Sequence, residues 1–307
     1  MNDERLLIVG TGAMACLFAA RLSPVVDVLM LGTWKEGIHA LREKGVRIIE
    51  SDGIERSISV RVTSDPAECV GTRHALVLVK SWQTSRAADQ LRTCLSEDGI
   101  ALTLQNGLGN LQKLQEILSS ERAALGVTTM GATLVAPGIV RVGGKGPTHL
   151  VPGKRLETMV NWLRQAGFTI EESRDLESLV WGKLIINSGI NPLTAILRVT
   201  NGELLERRDA IWLMNRAARE ATAVAFAKGV RLPFDQPELE VANVAQRTAK
   251  NYSSMVQDVL RGAPTEIEAI CGAVVNEGAK LGIPTPINEI YLHLIRAIVT
   301  TDKEMEG

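Results

Sequence analysis

Neither sign of charge is in excess in this 307-residue chain. Lys and Arg number 34 and Asp and Glu 35, a formal net charge of -1. A general nucleic-acid binder needs a basic surplus to displace counterions, and that class is excluded. Cysteines are few (Cys16, Cys69, Cys94, Cys271), and none belongs to a CxxC pair. The four histidines are equally scattered, so no metal site is expected. No window reaches eighteen uninterrupted apolar residues, which excludes a membrane-spanning helix. The opening MNDERLLIVG lacks the basic start and long apolar stretch of a secretory signal. A reducing cytoplasm is the expected setting, with no membrane and no nucleic acid among the partners. Low-complexity linkers and solenoid-length repeats are missing too.

What is present is enough apolar mass for sizeable cores: 45% hydrophobic residues against 22% charged. At roughly 100–200 residues per domain, the length predicts two. The first half alternates strands and helices. Leu6–Val9 and Val25–Leu31 read as strands, and the continuous apolar runs Ala75–Val79 and Ile100–Leu104 as strands buried on both faces of a parallel sheet. Ala13–Leu22 and Glu36–Lys44 read as helices, the second stopped by Gly45. Leu125–Leu134, Gly138–Val142 and Thr148–Val151 are expected to extend the same sheet. A helix over Leu156–Ala166 and a strand over Phe168–Glu171 follow. From about Asp175 the pattern is helical, with long stretches at Ala210–Lys228 and Thr265–Leu281 ended by Gly229 and Gly282. The expected division is 1–174 and 175–307, with a cleft between domains as the default ligand site.

Gly10-Thr11-Gly12-Ala13-Met14-Ala15 matches G-x-G-x-x-[GA] directly after the first strand and at the start of a helix. Gly10 suits the tight turn, and Gly12 lets the backbone approach a pyrophosphate. Ala15 keeps helix and strand close, and the helix N-terminus supplies unpaired N–H groups. An NAD enzyme places Asp or Glu about twenty residues on, to hold the ribose diol. Here the second strand ends Met30-Leu31-Gly32-Thr33-Trp34-Lys35, without a carboxylate. Thr33 and Lys35 offer a hydroxyl and a positive charge to a 2′-phosphate, so NADPH is the expected cofactor. Lys35 reads equally well as a solvated surface lysine.

Lys183, Asn187 and Asn191 are spaced i, i+4, i+8 on one helix face, up to a bend expected at Pro192. Leu184, Ile185, Ile186 and Ile190 surround them. A lysine in such company either snorkels or works.

Taken in order along the chain, these segments resemble the ketopantoate reductase family over nearly the whole length. The glycine loop, Val79-Lys80-Ser81-Trp82-Gln83 and Gln105-Asn106-Gly107-Leu108-Gly109 carry the match in the first half. Trp181-Gly182-Lys183 through Asn191-Pro192-Leu193-Thr194-Ala195, Asn201-Gly202-Glu203-Leu204, Ser253-Ser254-Met255 and Thr265-Glu266-Ile267 carry it in the second. The resemblance implies an α/β Rossmann-type doubly wound N-terminal domain followed by an all-α C-terminal domain, 6-phosphogluconate dehydrogenase C-terminal-like. It also implies an NADP-dependent oxidoreductase acting on CH–OH, reducing 2-dehydropantoate (ketopantoate) to pantoate for pantothenate and coenzyme A synthesis.

By the same resemblance Lys183 is the general acid and Glu266 its acidic companion. Asn106, Asn187, Asn191, Asn201 and Ser254 position the substrate. Lys80 and Gln83 stand at the nicotinamide and phosphate side, and Asn106 also faces the cofactor. The family often has Arg after the second strand for the 2′-phosphate, where this chain has Thr33. Taken singly, Asn106-Gly107 is also a turn signal, Ser254 also a helix cap, and Glu266 also a helix-N-terminal acid. A paralogue reducing another 2-keto acid and a non-catalytic NADP sensor are the alternatives. The helical second domain permits a homodimer.

Overall fold

The uninterrupted run Leu6-Leu7-Ile8-Val9 has no polar face because the strand it forms has none. In the computed structural model, which describes residues 5–151 and 153–299, Leu6 and Ile8 enter one apolar core, and Leu7 and Val9 the other. The first unit runs β1 (Arg5–Val9), α1 (Ala13–Leu22), β2 (Asp27–Leu31), α2 (Lys35–Lys44), β3 (Val46–Ile49), β4 (Glu55–Ile58), β5 (Arg61–Thr63) and β6 (Thr72–Val77). It continues with α3 (Thr84–Cys94), β7 (Leu95–Thr103), α4 (Asn110–Leu118), β8 (Ala123–Thr128), β9 (Ala132–Ala136), β10 (Ile139–Val142), β11 (Thr148–Leu150), α5 (Glu157–Gln165) and β12 (Ile170–Glu172).

The main sheet has the order β12-β11-β8-β7-β6-β1-β2-β5. All neighbours are parallel except β8 and β11. The chain leaves β1 in one direction to β2 and β5, then returns to the other side at β6. Such a reversal opens a crevice at the carboxyl ends of the strands.

The expectation that residues 125–151 all extend this sheet holds only for β8 and β11. β9 and β10 instead join β3 and β4 in a second sheet of order β4-β3-β10-β9. The reason lies in α1, which is buried at Ala15–Ala20 and Leu22 and so needs cover on more than one side. Val46 and Ile48 of β3 and Val140 and Val142 of β10 enter the same core as Cys16, Leu17 and Phe18.

The second unit is helical: α6 (Leu176–Leu197), α7 (Arg208–Ala227), α8 (Pro237–Arg247), α9 (Ser254–Leu260), α10 (Ala273–Leu281) and α11 (Pro286–Val299). The helix expected over 265–281 is divided, a π-helical turn at Glu268–Gly272 preceding α10. Trp181, Leu184, Met214, Val241, Val274 and Tyr291 meet in its core. Glu220 of α7 is buried and accepts from the Ile287 and Asn288 backbone N–H groups at 3.0 Å, placing an anion at the N-terminus of α11.

By contact, the first unit comprises the described residues up to Gln105 and then Asn110–Leu176. Asn106–Gly109 group with the chain from Glu177 onward. The expected bounds 1–174 and 175–307 take in residues 1–4, 152 and 300–307, which lie outside the described residues. Among the described residues no helix is long and apolar enough to cross a membrane, and no cluster of three metal-ligating side chains occurs.

Candidate active site

The carboxyl edge of the main sheet gathers the loops that sequence singles out. Gly10 N–H donates to Leu31 O (2.8 Å), Leu78 N–H to Val9 O (2.9 Å) and Gly32 N–H to Thr63 O (3.0 Å). Gly10 adopts φ 132°, and a Cβ there would lie 3.1 Å from the Leu78 carbonyl, so the loop rests against the start of the 78–83 turn. Gly32 is held closer still, since its Cβ would fall 2.5 Å from Thr11 Cγ2.

Gly12 differs from both. A Cβ at Gly12 would meet nothing within 4 Å, so the space over the loop is open. Gly12 is the N-cap of α1, with no side-chain cap and no acid in the first turn. Thr11 and Ala15 are buried, while Ala13 and Met14 are half-buried. Uncapped N–H groups, the positive end of a helix and open space above them fit the pyrophosphate of a dinucleotide. At the end of β2, Thr33 and Lys35 are exposed, and Glu36 already lies on α2.

Lys80 and Gln83 bracket the short turn Ser81–Gln83 at this edge. Both are half-buried, and Gln83 N–H donates to Lys80 O at 2.8 Å. The turn is pinned by Gln105, whose Nε2 donates to Val79 O and to Thr84 Oγ1, both at 2.9 Å. Its Oε1 accepts from Thr103 Oγ1 at 2.8 Å. Thr84 sends its one hydroxyl proton toward Ser81 O or Asn110 Oδ1, at 2.9 and 2.8 Å.

In the second unit α6 carries Lys183, Asn187 and Asn191 on one face. The helix continues to Leu197 with Pro192 inside it. Lys183 is half-buried, and burial lowers its pKa to about 8, while the charge of Glu266 pulls the other way. Glu266 is buried and accepts a hydrogen bond from Asn106 Nδ2 at 3.3 Å. Lys183, Glu266 and Asn106 therefore form one cluster from three distant stretches of chain. Asn191 is buried and Asn187 half-buried.

The remaining candidates are arranged differently. Asn201 is buried, and its Nδ2 donates to Thr248 Oγ1 at 2.8 Å. Its Oδ1 is buried without a partner among the described residues. Ser254 is half-buried at the first position of α9. The cap itself is Ser253, which accepts from Val256 N–H at 3.2 Å and is hydrogen-bonded to the Thr194 hydroxyl at 2.9 Å. That bond ties the start of α9 to α6 one turn beyond Asn191.

Two family models cover this chain, one described as "Ketopantoate reductase PanE/ApbA" over residues 6–154 and its C-terminal counterpart over residues 175–299. The chain belongs to the ketopantoate reductase family. It is an oxidoreductase acting on a CH–OH group. Relatives include the 2-dehydropantoate 2-reductase of Archaeoglobus fulgidus, 36% identical over 97% of this chain and 99% of that protein. That of Halobacterium salinarum is 34% identical over 95% and 98%. Among solved structures, a PanE/ApbA family ketopantoate reductase from Ralstonia eutropha JMP134 superposes with a TM-score of 0.89. It is 30% identical and covers 96% of this chain and 98% of its own.

Within this ketopantoate reductase fold, three supports escaped the sequence. Gln105 and Thr84 hold the turn that carries Lys80, and Ser253 caps the helix that carries Ser254. Gln105 and Ser253 stand within the motifs that carry the family resemblance and Thr84 follows Gln83, and those positions are the signal that points to them.

Proposed function

We propose that this protein reduces 2-dehydropantoate to pantoate with NADPH, a step toward pantothenate and coenzyme A. The observation that carries the reading is Lys183, set beside the buried Glu266 on a helix face that also carries Asn187 and Asn191. The names of the relatives, 2-dehydropantoate 2-reductase, support the substrate.

A bound nicotinamide dinucleotide supplies the hydride that reduces the C2 carbonyl. The loop Gly10, Thr11, Gly12, Ala13, Met14 and Ala15 would hold its pyrophosphate, with Lys80 and Gln83 beside the loop. The absence of a carboxylate after β2, with Thr33 and Lys35 exposed there, supports NADPH over NADH. Lys183 Nζ gives its proton to the carbonyl oxygen as negative charge develops there. Glu266 opposes the effect of burial and keeps that proton on Lys183 at neutral pH. Asn106 orients the Glu266 carboxylate. Asn187, Asn191, Asn201 and Ser254 are neutral donors for the substrate carboxylate that do not displace Lys183 from the carbonyl, and Glu266 also holds the substrate hydroxyl. A cytoplasmic setting, and a homodimer formed through the helical unit, complete the proposal.

A coupled assay of NADPH oxidation over a panel of 2-keto acids tests it. Ketopantoate should give the highest kcat/KM, and a clear preference for another 2-keto acid would replace it with the paralogue reading. Titration of nicotinamide fluorescence should give a lower Kd for NADPH than for NADH. Equal or tighter NADH binding would overturn the cofactor assignment.

A further inference from the structure

The residues just after Glu266 do not continue as an ordinary helix. Gly272 N–H donates to Ile267 O at 3.0 Å, the i to i+5 spacing of a π-turn, and Ala269 and Ile270 N–H both reach Glu266 O at 3.1 Å. Isolated π-turns inside helices recur at functional sites. The Ala269 carbonyl of this turn accepts the backbone N–H of Leu108 at 3.0 Å. Gly107 sits between that bond and Asn106. It has φ 81°, and a Cβ there would lie 2.4 Å from Ala269 O and 2.6 Å from Ala269 Cβ. No other residue lets the 106–109 segment press so close. One residue back, Asn106 Nδ2 reaches Glu266. On its other side the turn is anchored by Glu268, which takes two bonds from Arg296 at 2.6 and 2.7 Å.

We infer that the π-turn Glu268–Gly272 is a positioning element for the proton donor. Through the Ala269 carbonyl and the bare Gly107 it sets the Asn106 amide against Glu266, and so the orientation of the carboxylate that acts on Lys183. Gly107 and Ala269 are positioning residues, and the inference rests on Lys183 being the acid.

The test is the pH profile of kcat/KM in Gly107→Ala, Asn106→Ala and the double variant. Gly107→Ala should lower kcat by about tenfold or more. It should also move the alkaline limb toward acid by about half a pH unit or more, because a loosened Glu266 no longer supports the charge on Lys183. Asn106→Ala should do the same, and adding Gly107→Ala to it should move the limb no further. An unmoved limb in Gly107→Ala, or shifts that add in the double variant, would overturn the inference. Hydrogen exchange in the unaltered protein needs no variant to fold: the Leu108 amide should be protected, and exchange at the open-chain rate would equally overturn it. Failure of the acid assignment shows separately, as turnover that survives Lys183→Met.

Discussion

Lys183 holds its proton in surroundings that disfavour charge, and Glu266 makes up only part of the difference. With a pKa of about 8 against 10.5 for an ordinary lysine, it is mostly charged at pH 7 and gives up its proton readily. The limb of kcat/KM should fall as pH rises through about 8. Lys183→Ala should lower turnover by roughly 10²–10⁴-fold, the range for a positioned acid, measured by NADPH oxidation. The same group weighs on stability with a definite sign. Its folded pKa is depressed, so the unfolded chain binds more protons between about 8 and 10.5 and stability rises with pH across that window. Lys183→Met should therefore melt higher than the unaltered protein at pH 7, and the gap should close between pH 8 and 10.5. A gap that stays constant would show that packing, not charge, separates them. Asn191→Ala and Ser254→Ala should raise KM more than they lower kcat, since both are assigned to substrate binding.

At the scale of elements, α1 and the loop before it separate two uses of glycine. Gly10 is needed by the backbone, whereas Gly12 has ordinary extended dihedrals (φ -84°, ψ -171°) and open space above it. Gly12→Val should leave the melting temperature nearly unchanged, yet weaken NADPH binding by about tenfold or more, equivalent to ~1.4 kcal/mol. Fluorescence titration with a parallel thermal melt checks both halves.

The same elements mark what could be read in advance. β1, α1 and β6 were legible because apolar runs and glycine stops are local signals. The stripe Lys183, Asn187, Asn191 was legible because one helix fixes its spacing. β3 and β4 were not: Glu55-Arg56-Ser57-Ile58 is largely exposed and becomes a strand only by pairing with β3. The π-turn was hidden because its apolar residues still fit a helical period. The contact of Asn106 with Glu266 joins residues 160 apart, and no spacing rule reaches across that interval. Resemblance to a family named both residues, and only coordinates place one against the other.

For the molecule as a whole, the thiols are kept inside. All four cysteines are free and buried. Burial pushes the Cys16 thiol up to about 12 and raises Cys271 as well. A thiol reagent should label none of the four in the native protein and all four once it is unfolded, as read by mass.

The four residues 106–109 have a consequence for any attempt to recombine this chain with a relative. A hybrid spliced once, near residue 174, would take them from the parent that supplies the sheet, while the turn they rest on came from the other. Exchange of whole halves is faithful only if that short stretch travels with the helices, so a working chimera needs three junctions where the sequence suggests one.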